Sequence, residues 1–254
     1  EINGMNKKVC HEIEIETFGE VMSHCKVTLD PGEVVIAEAG ALMAHDEGIE
    51  YKTVMGDGSE PNTGIFRSLF NGAARMLSGE TLFMTHFTNV SDKRRDVYFS
   101  ATVPGSMAVI DMGSFNGSLI CNKNSFLCGA LGTKIGLKSD INIRGLFGES
   151  FFLQRIEGDG NVCLNAGGGV FMRQLNNETI FVDNSSLLAY VEDDIEYEVV
   201  QNGSLKSMLF SGEGLSLVKL SGTGVVLLQT MPFDRFAMST WNEIRKNGGG
   251  VSSS

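Results

Sequence analysis

A short motif recurs three times along the chain, and this repeat constrains the fold more than any other feature. Each copy begins with Gly-Glu and carries apolar residues at its fourth and sixth positions. The copies begin at Gly79, Gly148 and Gly212, at similar intervals. Self-similarity of this kind is typical of proteins built from repeated structural units, and the interval is longer than the repeats of solenoid proteins.

A second motif precedes each Gly-Glu copy and keeps the same order. It is a short apolar run at residues 42–45, 126–129 and 187–190, weakest in the middle copy. An apolar residue stands six positions before each run, namely Ile36, Ile120 and Phe181. Two motifs that keep their order three times predict three related units within one compact domain. We place the domain at residues 5–254, since residues 1–4 precede Met5, and the units at about 9–112, 113–175 and 176–233.

The residues between the motifs favour β-strands. Short apolar runs are separated by Gly, Asn and Asp, as in residues 151–156 and 162–164 around the turn at 158–161, which predicts a hairpin. The expected fold is all-β, with three tandem degenerate β-sandwich units in a pseudo-threefold arrangement that would cover their edge strands. The sixth residues of the Gly-Glu motifs, Met84, Leu153 and Leu217, are expected in the core.

Two amphipathic helices interrupt the β pattern. The first unit has an insertion in which apolar residues recur at helical spacing over residues 65–77, while Arg67 and Arg75 lie off the apolar face. A C-terminal helix is predicted at 233–247, after Pro232. Each apolar face either caps an open end of the β core or docks on a partner or a membrane. The candidate interaction surface of the insertion helix is Phe66, Arg67, Phe70 and Arg75.

Charge and apolar content exclude several partners. A net charge of −11 argues against nucleic acid as a partner, because the phosphate backbone would be repelled. The sequence has no apolar run long enough for a transmembrane segment and no secretory signal, so we expect a cytoplasmic protein. Its five cysteines have no paired spacing and are expected to be buried, reduced side chains. A protein partner and homo-oligomerisation remain open, and peripheral membrane contact is less favoured.

The sequence contains no recognisable catalytic or cofactor motif. All four histidines lie in the first unit, and neither a nucleophile elbow nor a nucleotide-binding glycine motif is found. We therefore expect no catalytic residues, no cofactor and no metal, and we favour a non-enzymatic scaffold or adaptor. The alternative is a β protein that binds a small ligand or metal between units, near His45, His86 and the insertion helix.

Four segments resemble the altered-inheritance-of-mitochondria twenty-four family. They are residues 35–42, 77–83, 182–185 and 222–230, and the resemblance covers about residues 9–233. It implies a fold like that of the tryptophan RNA-binding attenuation protein, with three such units in one chain, but it does not imply RNA binding. Mitochondrial members are linked to inner-membrane organisation. This chain lacks an Arg-rich transit segment, so it resembles a prokaryotic, cytoplasmic member. The family supplies no catalytic residues.

Overall fold

The computed structural model describes most of the predicted β segments. The described residues are 8–38, 40–55, 83–101, 103–138, 153–191, 194–200 and 217–247. The Gly-Glu dipeptides and the predicted insertion helix at 65–77 lie outside them. Within the described residues the chain is mostly β, with one α-helix at its C-terminal end, which confirms the predicted fold class.

Seventeen strands and one α-helix are found in the described residues. The first nine are β1 Glu14–Phe18, β2 His24–Leu29, β3 Val34–Glu38, β4 Leu42–His45, β5 Ile49–Met55, β6 Phe83–Asn89, β7 Arg95–Ser100, β8 Met107–Asp111 and β9 Ser118–Asn122. The remaining elements are β10 Phe126–Ala130, β11 Lys134–Leu137, β12 Leu153–Glu157, β13 Asn161–Asn165, β14 Val170–Asp183, β15 Leu187–Val191, β16 Ile195–Val199, β17 Leu217–Gln229 and the helix α1 Phe233–Asn247.

Three antiparallel sheets contain these strands. The first has the order β1-β2-β7-β4, and the second has the order β5-β6-β3-β10-β13-β8. The third has the order β11-β12-β9-β15-β17-β14, and β16 also pairs with β17. Strands that are far apart in the chain therefore lie side by side in the second and third sheets.

The same set of pairings occurs three times along the chain. In the first part β2 pairs with β7, β7 with β4, β3 with β6 and β6 with β5. Strands β8 to β13 repeat this set: β8 pairs with β13, β13 with β10, β9 with β12 and β12 with β11. In the last part β14 and β17 are long, and each takes the place of two strands. The first half of β14 pairs with the second half of β17 as β2 pairs with β7, and the other halves pair as β3 pairs with β6. β15 and β16 pair with β17 as β4 and β5 pair with β7 and β6. The division into three sandwiches around a pseudo-threefold axis stays a prediction.

The two long strands change direction near their midpoints. In β14 the register shifts between Asn176 and Glu178, where Asn177 has a φ of 55°. In β17 the opposite residue, Gly222, has a φ of +136°, and a Cβ there would lie 2.0 Å from the carbonyl oxygen of Asp194. Only glycine fits both the backbone conformation and the close approach. This bend lets the two halves of each strand pack against different parts of the core.

Two junctions join the repeated parts into continuous sheets. β3 of the first part pairs with β10 of the second, in the register Ile36↔Gly129. β9 of the second part pairs with β15 of the third, in the register Ile120↔Tyr190. The two junctions thus use corresponding strands in corresponding positions.

Three apolar clusters fill the space between the sheets. The first joins β2 and β7 to β3, β10 and β13, and the second joins the six-stranded sheet to the third sheet. The third cluster lies within the curled third sheet. In β3, Val35 and Ala37 belong to the first cluster and Ile36 to the second. Both faces of the middle sheet are buried, and this explains why its central strands are continuously apolar.

Of the three residues expected in the core at the sixth position of the Gly-Glu motifs, two are buried in the structure. Met84 and Leu153 are buried, whereas Leu217 is only partly buried. In β17 the neighbours Val218 and Leu220 are buried instead. Because residues 217 and 218 are both apolar, the alternation of apolar and polar residues can begin at either one. The strand faces the core with the set that begins at residue 218.

Truncation of Leu217 and of Leu220 should show which face of β17 is turned toward the core. We expect Leu220→Ala to lower the free energy of unfolding by about 2–5 kcal/mol, because it leaves a cavity in the third cluster. Leu217→Ala should lower it by less than half as much, since that side chain is partly exposed already. Urea unfolding of both variants measures the difference, and equal losses would contradict the observed strand face.

The N-terminal segment is tied to the second part of the chain through Asp159. Its carboxylate accepts hydrogen bonds from the backbone N–H groups of Val9 and Cys10, both at 2.8 Å. Asn161 adds a hydrogen bond from its side-chain amide to the carbonyl oxygen of Ile13. The hydrogen bond from Val9, followed by that from Cys10, holds the pKa of Asp159 below its ordinary value.

This link should weaken in acid. A carboxyl group whose pKa is lowered by folding stabilises the folded state above its ordinary pKa of about 4, and that stabilisation is lost as the pH falls further. We expect the hydrogen-exchange protection of the Val9 and Cys10 amides to fall below about pH 4. Asp159→Asn should remove this pH dependence, whereas Asp234→Asn on α1 should leave it intact. If the Asp159→Asn variant kept the same pH dependence of protection, the proposed role of the Asp159 carboxylate would be contradicted.

Candidate functional site

Several strands lie at sheet edges, and in the first part of the chain one of them, β4, corresponds to β10, a strand that forms an internal junction. β4 pairs with β7 on one side, and no strand pairs with its other side within the described residues. All four of its residues are exposed, including two large apolar ones: Leu42 is 38% exposed and Met43 is 51% exposed. The unpaired backbone groups of β4 and its apolar side chains are thus accessible together.

A second free edge lies in the last part of the chain, along the second half of β14. Residues 178–183 of β14 pair with β17, and no other strand of the described chain pairs with their outer side. Val182 is buried against the third cluster, but Phe181 is 57% exposed. An exposed phenylalanine on an unpaired edge is a feature that folded proteins usually avoid.

The two free edges are the counterparts of the strands that form the internal junctions. Phe181 holds the place in its motif that Ile36 and Ile120 hold in theirs. His45 holds the place that Gly129 and Tyr190 hold. If the second half of β14 met a β4 strand in the register of the junctions, Phe181 would therefore lie opposite His45.

A backbone link beside the junctions repeats in the same way. The N–H of Ser23 donates to the carbonyl oxygen of Gly105 at 3.1 Å, and the N–H of Ser106 donates to that of Gly168 at 2.7 Å. Each link joins one part of the chain to the next, at the residues just before β2, β8 and β14.

The last member of this series makes its contact within the last part of the chain. The N–H of Gly169 donates instead to Oγ1 of Thr230, at 2.8 Å. At the opposite end of the series Met22 corresponds to Gly105 and Gly168, and its side chain is exposed. The repeated contacts therefore end at two different surfaces of the molecule.

A cluster of three cysteines is buried between the first two sheets. Cys25 lies on β2, Cys128 on β10 and Cys163 on β13, and none of the three is exposed to solvent. Their Sγ atoms all lie within 4.8 Å of one another, and those of Cys25 and Cys128 are 3.9 Å apart. Cys128 and Cys163 are directly opposite in the β10–β13 register.

The three thiols interact electrostatically. Hydrogen bonds from Cys128 and then from Cys163 lower the pKa of Cys25. Hydrogen bonds to Cys163 and Cys25 raise the pKa of Cys128. Cys121, in the second apolar cluster, has its pKa raised to about 12 by burial alone. Cys25 thus ionises more readily than the isolated Cys121, whereas the pKa values of its two neighbours, Cys128 and Cys163, lie above the ordinary value of a thiol.

His45 and His86, the histidines of the predicted ligand site, face different surroundings. The ring of His45 lies 5.9 Å from that of Tyr51, and Tyr51 in turn packs against Phe87. His86 directly precedes Phe87 on β6, so that it faces the opposite side of the sheet. Among the described residues, the three cysteines are the only cluster of potential metal ligands.

Comparison with known proteins identifies the family. The sequence model of the family described as mitochondrial biogenesis AIM24 matches residues 15–231. The chain belongs to this family. An uncharacterized protein from Streptococcus pyogenes serotype M6 is 24% identical over 216 residues, which are 84% of this chain and 83% of that protein. The predicted resemblance is therefore confirmed, and this relative is bacterial, as the predicted prokaryotic membership requires.

A solved structure shares the fold over most of the chain. The crystal structure of a protein from Streptococcus pyogenes is similar with a TM-score of 0.71 and 18% identity. The similarity covers 91% of this chain and 100% of the other. At this identity the likeness concerns the fold.

The helix α1 lies beyond the residues matched by the AIM24 family. It begins exactly where the sequence predicts, and an ion pair between Arg235 and Asp183 ties its first turn to β14. Its apolar residues, however, are exposed along the helix: Phe233, Phe236, Trp241 and Ile244. Among the described residues these side chains are not covered by the β core, so the apolar face of α1 does not cap the described part of it. No helix of the described chain is both long and apolar enough to cross a membrane.

Other predicted surface residues cannot be placed. Phe66, Arg67, Phe70 and Arg75 of the insertion helix lie outside the described residues. A shallow depression where α1 meets the sheets is lined by Val103, Pro104, Met231, Phe233 and Phe236.

Because α1 exposes its apolar face, truncation there should have little effect on stability. We expect Trp241→Ala to change the free energy of unfolding by less than about 0.5 kcal/mol, the usual range for surface positions. A tryptophan that capped the core would cost about 3–5 kcal/mol on removal. Denaturant unfolding of this variant beside Leu220→Ala distinguishes the two, and a loss in the higher range would contradict the exposed position of the helix.

Proposed function

We propose that this protein is a non-enzymatic scaffold whose copies join head to tail, with the second half of β14 in one copy paired with β4 of the next. The observation that carries the proposal is the series of junctions within the chain. Each junction pairs one type of strand with another, and the series ends with one free strand of each type. A second copy supplies the missing partner at both ends.

Burial at the internal junctions supports this assignment from the β14 side. Ile36 and Ile120, which occupy the position of Phe181, are both fully buried where the junction is formed. Phe181 occupies that position on a free edge and is 57% exposed. Pairing with a second copy would remove this ring from water, and burial of a phenylalanine is worth about 1.5–3 kcal/mol.

The β4 side supports the same conclusion. Leu127 and Leu188 correspond to Met43, and both are fully buried, whereas Met43 is 51% exposed. Leu42 is likewise exposed where its counterparts, Phe126 and Leu187, are buried. The free edge at β4 is thus as apolar as the internal strands β10 and β15, but no neighbouring strand covers it within the described residues.

β4 lacks the usual protection against pairing, and the outer half of β14 has charged residues only at its two ends. Natural edge strands are often blocked by lysine, proline or inward-pointing charges. β4 has the sequence LMAH and contains none of these residues. The outer half of β14 has charged residues at Glu178 and Asp183, but the three residues between Thr179 and Asp183 are apolar. These edges are suited to pairing.

The contact proposed is heterologous, since two different surfaces of the molecule meet. Such contacts form a closed ring when the rotation between copies closes, and an extended filament when it does not. A scaffold of this kind needs no catalytic side chains, in agreement with the motif search. The cytoplasmic location and the exclusion of nucleic acid stay predictions, the second supported by the net charge of −11.

Disulfide trapping tests the contact in its proposed register. Residues directly opposite in an antiparallel pair have Cα atoms about 4.5–5.5 Å apart, within the range of a disulfide. We expect a mixture of the single variants His45→Cys and Phe181→Cys to form a covalent heterodimer under mild oxidation, and neither variant alone to form it. The native cysteines are all buried and do not interfere.

The matched control moves one cysteine out of register. Met43→Cys mixed with Phe181→Cys should cross-link far less, because the two positions would be diagonal neighbours. Light scattering after size-exclusion chromatography should show the wild-type chain as a discrete oligomer or a filament. A monomer at all concentrations, or cross-linking that is equal in both mixtures, would overturn the proposal.

One observation favours a second function. The three cysteines lie between strands of the first and second parts of the chain, which agrees with the alternative of a metal-binding site between units. Unlike the edges, this site is internal and consists of sulfur ligands alone.

A further inference from the structure

The spacing of the three buried sulfur atoms suits a single metal ion. An ion bonded to three thiolates at about 2.3 Å in one plane places the sulfur atoms about 4.0 Å from one another. Sγ of Cys25 and Sγ of Cys128 are 3.9 Å apart, and no pair in the cluster exceeds 4.8 Å. An ion at the centre therefore requires only small movements of the side chains.

The donor set selects the kind of ion. Calcium and magnesium need oxygen ligands, and zinc in structural sites takes four ligands in a tetrahedron. Here the three sulfurs are joined by no histidine nitrogen or carboxylate oxygen of the described residues, and the site is closed to solvent. Thiolates alone, in a three-fold arrangement without a water ligand, favour a soft ion that accepts three ligands.

We propose that Cys25, Cys128 and Cys163 form a three-coordinate thiolate site for copper(I). Each thiol that becomes a ligand releases its proton, a copper–sulfur bond forms, and the oxidation state of the ion does not change. The apolar surroundings in the first core cluster exclude water from the ion.

The bound ion would connect two sheets that share no backbone hydrogen bonds at this point. Cys25 belongs to the four-stranded sheet, and Cys128 and Cys163 belong to neighbouring strands of the six-stranded sheet. A metal bonded to all three holds the sheets together across the core. Because the ligands come together only in the folded chain, binding stabilises the folded state.

The test uses the full chain, purified and reduced under anaerobic conditions. We expect it to withdraw one equivalent of copper(I) from a coloured copper(I) chelator, and to melt at a higher temperature with copper(I) than without. X-ray absorption should show three sulfur neighbours at about 2.3 Å, the length of a metal–thiolate bond.

Substitutions assign the ligands. Cys25→Ala should lower the affinity for copper(I) at least tenfold and remove the rise in melting temperature. The control is Cys121→Ala, which removes an equally buried thiol from the second core cluster and should retain both effects. If Cys25→Ala does not fold, Cys163→Ala carries the same comparison.

Three outcomes would overturn the proposal. In the first, the wild-type chain loses copper(I) to the chelator. In the second, the Cys25→Ala and Cys121→Ala variants bind copper(I) with equal affinity. In the third, zinc(II) binds the site as tightly as copper(I) does and acquires a fourth ligand. None of these outcomes depends on whether copies of the chain assemble through their strand edges, so the two proposals fail or succeed separately.

Discussion

Backbone pairing between corresponding strands of successive parts holds this structure together. The pairs β3–β10 and β9–β15 turn three sets of hairpins into continuous sheets, and the apolar clusters form on both sides of those sheets. Without the junctions, Ile36 and Ile120 would be exposed, and the second and third clusters would each lose one wall. Hydrogen bonding and core packing are therefore coupled at the same few residues.

The buried cysteines depend on the same arrangement. Cys128 reaches the cluster because β10 is inserted between β3 and β13, and Cys163 because β13 pairs with β10 in matching register. Cys25 arrives from the facing sheet. Three residues from distant parts of the chain converge at one point only when the first junction is correctly formed.

Sequence patterns revealed those features that are local. β6 begins four residues after the first residue of its Gly-Glu motif, and β12 and β17 begin five residues after theirs. Pro232 directly precedes α1, which begins at the predicted residue. The strand face at Leu217 was wrong because two adjacent apolar residues make both phases of the alternation possible. The cysteine cluster and the free edges could not be predicted, since both depend on which strands become neighbours. The central strands are apolar on both faces, so their periodicity does not identify the neighbour.

The junctions also imply an order of events during synthesis. The chain emerges from the ribosome with its N-terminal part first, and β3 has no neighbour on one side until β10 has been made. The same then holds for β9 until β15 appears. Each of these strands thus keeps an unpaired edge until a later part of the chain has been made. The apolar clusters that these junctions enclose are therefore completed late, since their last walls come from strands made after most of the chain.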